Sequence, residues 1–396
     1  MERRDVTPFP VARVQRVLAG ANIDGWLLYD FHGSNPVAVG IADLHGRHTT
    51  RRWFYFIPAV GTPTKIVHTI EAGTLDALPG RRWTYSNRFE LEDQLIEMLR
   101  GSKEIAMEYS PECSIPYLAR VDAGTVEFMR RIGLRVISSG DLVSEFEAAW
   151  DETQIATHRE ASAKLYRIKD RAFAYASEAV AAGRPVDELE IQAQMMAWFD
   201  EEGLTTDAPP IVAVGSHAGD PHYAPTPETS RVLGRDMVLL LDLWGKLDQP
   251  GSVYADITWV GYSGEPPSIV TRAFGAVVAG RDAAIRFIQA RIVADEVVRG
   301  WEADRAARDV ITAAGYGKAF VHRTGHSLGV EVHGNGANLD DYETRDDRRL
   351  LEGSGFTIEP GVYLRDFGVR SEINLVVGRR SVEVTGPCQH VLVRIG

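Results

Sequence analysis

The stretch HRTGHSLGVEVH, His322 to His333, gathers three of the chain's 11 histidines into twelve residues. Imidazoles at that density suit proton transfer or metal ligation, since the ring titrates near neutrality and its neutral nitrogen is a ready ligand. A chance cluster on a surface loop is the plain alternative, and two pairs of carboxylates weigh against it. In MVLLLDLWGKLDQPGSVYADITWVG, a strand carrying Asp242 enters the turn signal DQPG and a strand carrying Asp256 leaves it. A hairpin folded about Gln249, midway between them, would oppose the two aspartates with Cβ atoms about 4.5–5.5 Å apart. In FTIEPGVYLRDFGVRSEINLVVG, the midpoint of Glu359 and Glu372 falls between Arg365 and Asp366, where a polar turn belongs. There Arg370, Glu372 and Asn374 share one face by period-two alternation, while Val369, Ile373 and Leu375 share the other. Opposed like charges destabilise a strand pair and cost far more when buried unpaired, so two such hairpins imply positive charge between them. Four carboxylates and an imidazole make a hard, oxygen-rich set for two divalent cations, Mn²⁺ first, with Co²⁺ or Zn²⁺ as alternatives. Two such ions about 3.5–4 Å apart can bridge and ionise a water.

These hairpins need a scaffold, and the second half of the chain supplies one. A helix is predicted from Asp151, with Gln154 completing a capping box and Gly183 as the stop; another runs from Asp187, answered by Glu190, to Gly203. A long helical region, roughly Pro267 to Ala314, follows the aspartate hairpin. Helix pair then strands, twice over, suggests an internally duplicated α+β domain, although no sequence repeat proves it. The first half instead alternates strands (DGWLLYDF, RWFYFIPA, TKIVHTI, KEIAMEYS, LRVISSG) with helical spacing in ELEDQLIEMLRG, which reads as an α/β domain. The expected division is 1–150 and 151–396.

Composition narrows the partners. Lys plus Arg number 43 against 55 Asp plus Glu, a formal charge of −12, which disfavours nucleic acid and anionic membranes. No apolar tract is long enough to span a bilayer, and MERRDVTPFPVARVQ has no apolar core of a secretory signal, so the cytoplasm is expected. Cys113 and Cys388 are the only cysteines, which excludes a disulfide framework or a zinc-thiolate cluster and leaves metal to oxygen and nitrogen ligands.

In order along the chain, PHYAP (Pro221 to Pro225), LLLDLWG…YADITW, HRTGHSLGVEVH, TIEPGVYL and GVRSEINLVV resemble the pita-bread metallohydrolases: methionine aminopeptidase, aminopeptidase P, prolidase and the metal-free creatinase. The resemblance implies an α/β N-terminal domain followed by an α+β pita-bread catalytic domain of the creatinase/aminopeptidase type. It implies Asp242 as ligand of one metal, Asp256 and Glu372 as bridging carboxylates, and His326 and Glu359 as ligands of the second. His322 and His333 match residues that line the substrate pocket and hydrogen-bond the scissile amide or the developing tetrahedral oxyanion, His222 matches the remaining pocket histidine, Glu359 also matches a proton shuttle, and Arg370 matches an arginine beside the metals in proline-specific members. The presence of the N-terminal domain sets methionine aminopeptidase aside and points to the aminopeptidase P and prolidase branch, with a peptide carrying proline in second position as substrate and a homodimer or larger as the assembly.

Some features depart from that pattern. Asp242 and Asp256 stand fourteen apart, wider than usual; Gly334 follows His333 where an acid is common; Arg323 replaces a usual glycine; and RSEIN lacks an acid after the last ligand. A creatinase-like metal-free amidinohydrolase predicts lost ligands, as does a non-catalytic binding protein on the same fold, whereas all five ligands are present. A metal-dependent hydrolase of another amide or a phosphoester remains the third alternative. His32, His45, His48 and His68 read as ordinary surface or core histidines, and the tryptophans as core, with Trp244 and Trp259 as candidate walls of the substrate site.

Overall fold

Runs such as WLLY and WFYFI leave no polar face, which suits strands buried on both sides. The computed structural model of the protein describes residues 9–44 and 46–396, so His45 and the region expected to lack a leader, residues 1–8, lie outside the described residues. The chain forms two compact units, one ending at Val143 and one spanning Ser144–Gly396. The first holds α1 (Val11–Gly20), β1 (Gly25–Asp30), α2 (Pro36–Ile41), β2 (Trp53–Pro58), β3 (Thr64–His68), β4 (Arg81–Tyr85), α3 (Arg88–Met98), β5 (Glu104–Met107), α4 (Ala123–Arg131), β6 (Arg135–Ser138) and a short α5 (Gly140–Val143). Its sheet has the order β4-β3-β2-β1-β5-β6, with β2 antiparallel to β1 and β3 and the other pairings parallel. Buried Glu108 follows β5 and accepts from Trp26 Nε1 (2.8 Å), Asn35 Nδ2 (2.7 Å) and the Ser139 hydroxyl (2.9 Å).

The second unit opens with α6 (Glu152–Ala181), whose capping box forms as expected: Gln154 N–H donates to Asp151 at 2.8 Å and Gln154 accepts from Asp151 N–H at 3.1 Å. Next, α7 (Glu188–Glu202) is capped by Asp187 and stops at Gly203, which adopts φ +66°. Here the sequence expectation is half met, because Glu190 turns from Asp187 and takes the Tyr175 hydroxyl and Arg184 instead. Then come β7 (Leu204–Thr205), β8 (Ile211–Val214), β9 (Val238–Leu247) and β10 (Ala255–Ser263). The predicted long helical region is two helices, α8 (Ser268–Val293) and α9 (Gly300–Ala313), and the chain closes with β11 (Gly355–Ile358), β12 (Gly361–Tyr363), β13 (Gly368–Arg370), β14 (Ile373–Gly378), β15 (Ser381–Val384) and β16 (Val393–Ile395). Helix pair then strands thus occurs twice. One sheet has the order β16-β10-β9-β7 with β8 also on β9; β11-β14-β15 and β12-β13 form the others.

Alternation along β9 and β10 sorts the chemistry from the core. Leu239, Leu241, Leu243, Ala255 and Ile257 join Leu165, Phe173, Met195 and Phe199 of α6 and α7 in one apolar cluster. Asp242, Trp244, Asp256 and Thr258 have the other parity and face away from those helices. Trp259 belongs with the cluster, its ring under the Lys169 ammonium at 3.6 Å, so it does not wall a site as the sequence suggested.

One register expectation is corrected. Asp256 pairs with Trp244 and Asp242 with Thr258, which centres the hairpin on Pro250 rather than Gln249. The connection spans residues 248–254, with Gly251 at φ +79°, and this wide loop moves the aspartates to a diagonal on one face, still within reach of each other. The other hairpin keeps its expected centre. Gly355 pairs with Val376, Ile358 with Ile373 and Gly361 with Arg370, all symmetric about the point between Arg365 and Asp366.

Candidate functional site

Between β11 and β12 the ladder opens at Glu359-Pro360, where proline has no N–H to give. Glu359 and Glu372, which would continue it, bond elsewhere: Glu359 N–H to Thr324 O at 2.7 Å, and Glu372 N–H to Thr258 O at 3.2 Å. Through these detours Glu372 comes against β10, and Glu359 against the histidine stretch. That stretch runs antiparallel along β11, with Thr357 N–H donating to His326 O (2.9 Å) and Leu328 N–H to Gly355 O (2.9 Å). The approach is close enough that a Cβ on Gly325 would lie 2.0 Å from Thr357 O, so only glycine fits before His326. Behind it, α9 holds the loop. Asp304 accepts the Thr324 N–H (2.9 Å) and hydroxyl (2.7 Å), while Arg308, paired with Asp304, donates to His322 O at 2.7 Å.

Asp256, His326 and Glu372 are all buried and present ligand atoms within 4.8 Å of one another. Thr258 donates its hydroxyl to Glu372 Oε2 (2.7 Å), and Asn374 accepts from Asp256 N–H (3.0 Å). Asp256 Oδ1 and Glu372 Oε1 are buried and take no hydrogen bond. His326 Nδ1–H donates to Ser327 O at 3.1 Å, which leaves Nε2 as a lone pair facing Asp256 Oδ2 (3.6 Å) and Glu359 Oε1 (3.5 Å). Those distances are too long for hydrogen bonds. Asp242 forms a buried ion pair with Arg370, whose Nε donates to Thr258 Oγ1 (2.9 Å) and Nη1 to the Tyr363 hydroxyl (3.0 Å).

Four carboxylates therefore meet one guanidinium. Burial drives the Asp256 and Glu372 pKa values well above the carboxylate range; Asp242 and Glu359 add to this at Asp256, and Asp256, Glu359 and Asp242 at Glu372. Burial also opposes charge on Arg370, but Asp242, Tyr363, Glu359 and Glu372 more than offset it. Burial lowers the His326 pKa, keeping its ring neutral. Unsatisfied carboxylate oxygens, an imidazole whose tautomer is fixed by a backbone carbonyl, and excess negative charge together fit divalent cations.

The other histidines separate by position. His322 is fully engaged within the protein: Nδ1–H donates to Arg323 O (2.7 Å), Nε2 accepts from the Tyr363 hydroxyl (2.7 Å), and burial pushes its pKa down to about 3. As it stands it has no nitrogen to offer a peptide. His333 sets its ring edge against His326, centroids 4.4 Å apart at 89°. Burial disfavours its protonation, with the Arg323 guanidinium adding to the effect, and His222 is exposed on the loop after β8. Beside this group the Trp244 indole donates to Asp207 at 2.6 Å. Sequence reasoning missed Thr258, Tyr363, Asp304 and Arg308. Thr258 was within reach of it, lying two residues past Asp256 on the same face, and so was Tyr363, four past Glu359 in the same hairpin, whereas Asp304 and Arg308 act from α9.

A model of metallopeptidase family M24 matches residues 160–379. Proteins named "Probable dipeptidase PepE" from Mycobacterium bovis and Mycobacterium tuberculosis are 30% identical over 263 residues, 66% of this chain and 64% of theirs. The chain thus spans under two thirds of the length of these relatives. Among solved structures, dipeptidase PepE from Mycobacterium ulcerans aligns with a TM-score of 0.66 at 23% identity, covering 97% of this chain and 96% of that one. A prolidase from Thermococcus sibiricus aligns with a TM-score of 0.61 at 20% identity (98% and 100% covered), and an X-Pro aminopeptidase from Thermotoga maritima with 0.55 at 24% (97% and 100%). At these identities the likeness is one of fold.

Proposed function

Because this chain belongs to metallopeptidase family M24, with that family's pita-bread fold in its second unit, we propose that it hydrolyses the bond before proline in short peptides, using two divalent ions held by Asp242, Asp256, His326, Glu359 and Glu372. The observation that carries this reading is the buried trio Asp256, His326 and Glu372, with an unsatisfied oxygen on each carboxylate. Such ions lower the pKa of water and polarise a carbonyl.

The chain's own residues supply the rest. Glu359, its Oε1 receiving the Thr357 hydroxyl at 3.2 Å, carries a proton from the attacking water to the leaving nitrogen. A proline nitrogen leaves readily only when protonated, which makes that transfer essential. His333 and His222 hydrogen-bond the scissile amide, and His322 orients the Tyr363 hydroxyl beside Arg370. Arg370 holds the Asp242 carboxylate in place through their buried ion pair. Mn²⁺ is the ion of choice for the oxygen-rich donors. A homodimer in the cytoplasm completes the proposal, with the catalytic domain beginning at the helix capped by Asp151; it is supported by the resemblance to aminopeptidase P and prolidase. The name of the mycobacterial relatives favours dipeptides as substrates.

The test is parallel hydrolysis of an Xaa-Pro dipeptide and an Xaa-Pro-Xaa tripeptide with Mn²⁺ and with a chelator. Metal-dependent cleavage of the dipeptide alone is the expected result, and cleavage of the tripeptide would make the enzyme an aminopeptidase. Failure on both, with two ions bound per chain, would refute the proline specificity and move the site to another amide or a phosphoester. Turnover indifferent to the chelator would favour the creatinase-like reading.

A further inference from the structure

The loop between β8 and β9 carries His222 and contains no strand and no α-helix, yet both its ends and its middle converge on one side chain. Glu188, the first residue of α7, is fully buried. Its Oε1 accepts Val214 N–H at 2.7 Å, where β8 ends, and its Oε2 accepts Arg231 N–H at 2.9 Å, where the loop returns. His217 Nδ1 lies 2.9 Å from Oε1 and the Tyr223 hydroxyl donates to Oε2 at 2.6 Å. The two rings stack, centroids 4.3 Å apart at 27°. Two backbone amides, an imidazole and a phenol thus use both oxygens of one carboxylate, which satisfies the buried charge without a metal.

The consequence falls on His222. Its chain neighbour Tyr223 is tethered inward to Glu188, its own N–H is held by Asp220 at 3.0 Å, and its side chain is left exposed. On the other side the loop packs backbone to backbone on the β12–β13 turn that leads to Arg370. A Cβ on Gly219 would meet Leu364 O at 2.4 Å, and one on Gly368 would meet Ala218 O at 1.8 Å. The loop cannot shift toward that turn, and Glu188 stops it from moving away.

We propose that Glu188 is the positioning residue for His222, clamping the 215–231 loop so that its imidazole is presented to the peptide. This rests on the peptidase reading above, in which His222 meets the scissile amide. Glu188→Gln keeps an oxygen for Val214 N–H and His217 but turns an amide N–H₂ toward Arg231 N–H, donor against donor. Glu188→Ala removes the clamp.

The experiment is a double-mutant cycle on the Mn²⁺-loaded enzyme, Glu188→Gln against His222→Ala, with amide hydrogen exchange of each protein. Glu188→Gln is expected to lower kcat on the dipeptide by ten- to a hundredfold with metal content unchanged, and by less than twofold when His222 is already alanine. Exchange should rise in residues 215–231 and not in β9 or β10, more for Glu188→Ala than for Glu188→Gln. An undiminished kcat loss in the His222→Ala background would overturn the proposal, because it would show Glu188 acting through the whole fold. Unchanged exchange in 215–231 would overturn it as well. The exchange result stands apart from catalysis, so it decides the clamp even if the wild-type enzyme cleaves neither proline peptide and the peptidase reading falls.

Discussion

Acid should weaken the second unit in part through one buried histidine. His158 on α6 is fully buried, its Nδ1–H donating to Tyr254 O at 2.8 Å and its Nε2 accepting the Thr385 hydroxyl at 2.8 Å. It thereby ties α6 to the entry of β10 and to the chain beyond β15. Burial pushes its pKa from 6.5 down to about 4, the pull of Glu383 and the push of Arg159 being lesser effects. The folded protein therefore binds this proton more weakly than the unfolded chain does, and stability is full above pH 6.5 and falls as pH drops toward 4. At roughly 1.36 kcal/mol per pH, the gap amounts to a total loss of about 3 kcal/mol, of which about 1.4 kcal/mol is gone by pH 5.5. Carboxylates titrate in the same range, so the measurement is a comparison. Urea unfolding of the wild type and of His158→Gln, in one buffer series from pH 7.5 to 4, isolates the difference. The variant begins less stable and declines more shallowly, so that the two curves converge by about 3 kcal/mol at pH 4. Parallel curves would show that the ring is protonated without penalty, and the argument from its burial would be wrong.

Other outcomes follow from the site. Glu372→Gln or Asp256→Asn should abolish turnover and leave fewer than two ions per chain by elemental analysis, yet raise the stability of the metal-free protein by about 1–3 kcal/mol by relieving the carboxylate cluster; a less stable metal-free variant would refute the picture of excess charge. Gly325→Ala must displace His326 or Thr357, costing about 1–3 kcal/mol and weakening metal binding, as calorimetric titration with Mn²⁺ would reveal. The two tryptophans of the aspartate hairpin should part company. Trp259→Ala is expected to cost about 3 kcal/mol in unfolding experiments with KM unchanged, and Trp244→Phe, which frees Asp207, to alter KM with little loss of stability.

What the sequence reveals here is local or periodic. Asp151 with Gln154, and Asp187 with Gly203, lie within one helix and follow from short-range hydrogen bonding, so both helices begin and end where expected. The glutamate hairpin was legible because its turn is short and both its ladders share one centre. The aspartate hairpin was misread by two residues, since register depends on loop length and residues 248–254 make a wide connection that DQPG does not announce. A slip of two preserves parity. Asp242 and Asp256 therefore stayed on one face and the chemical reading survived, where a slip of one would have sent an aspartate into the α6–α7 core. The supports were not legible, for a different reason. Glu188 reaches across to Arg231, and Asp304 to Thr324, through contacts between segments remote in sequence that meet only in the folded second unit. Ligand types can be read from a strand, but the clamp that aims them belongs to tertiary structure, and that is why the cycle between Glu188 and His222 tests something the sequence could not state.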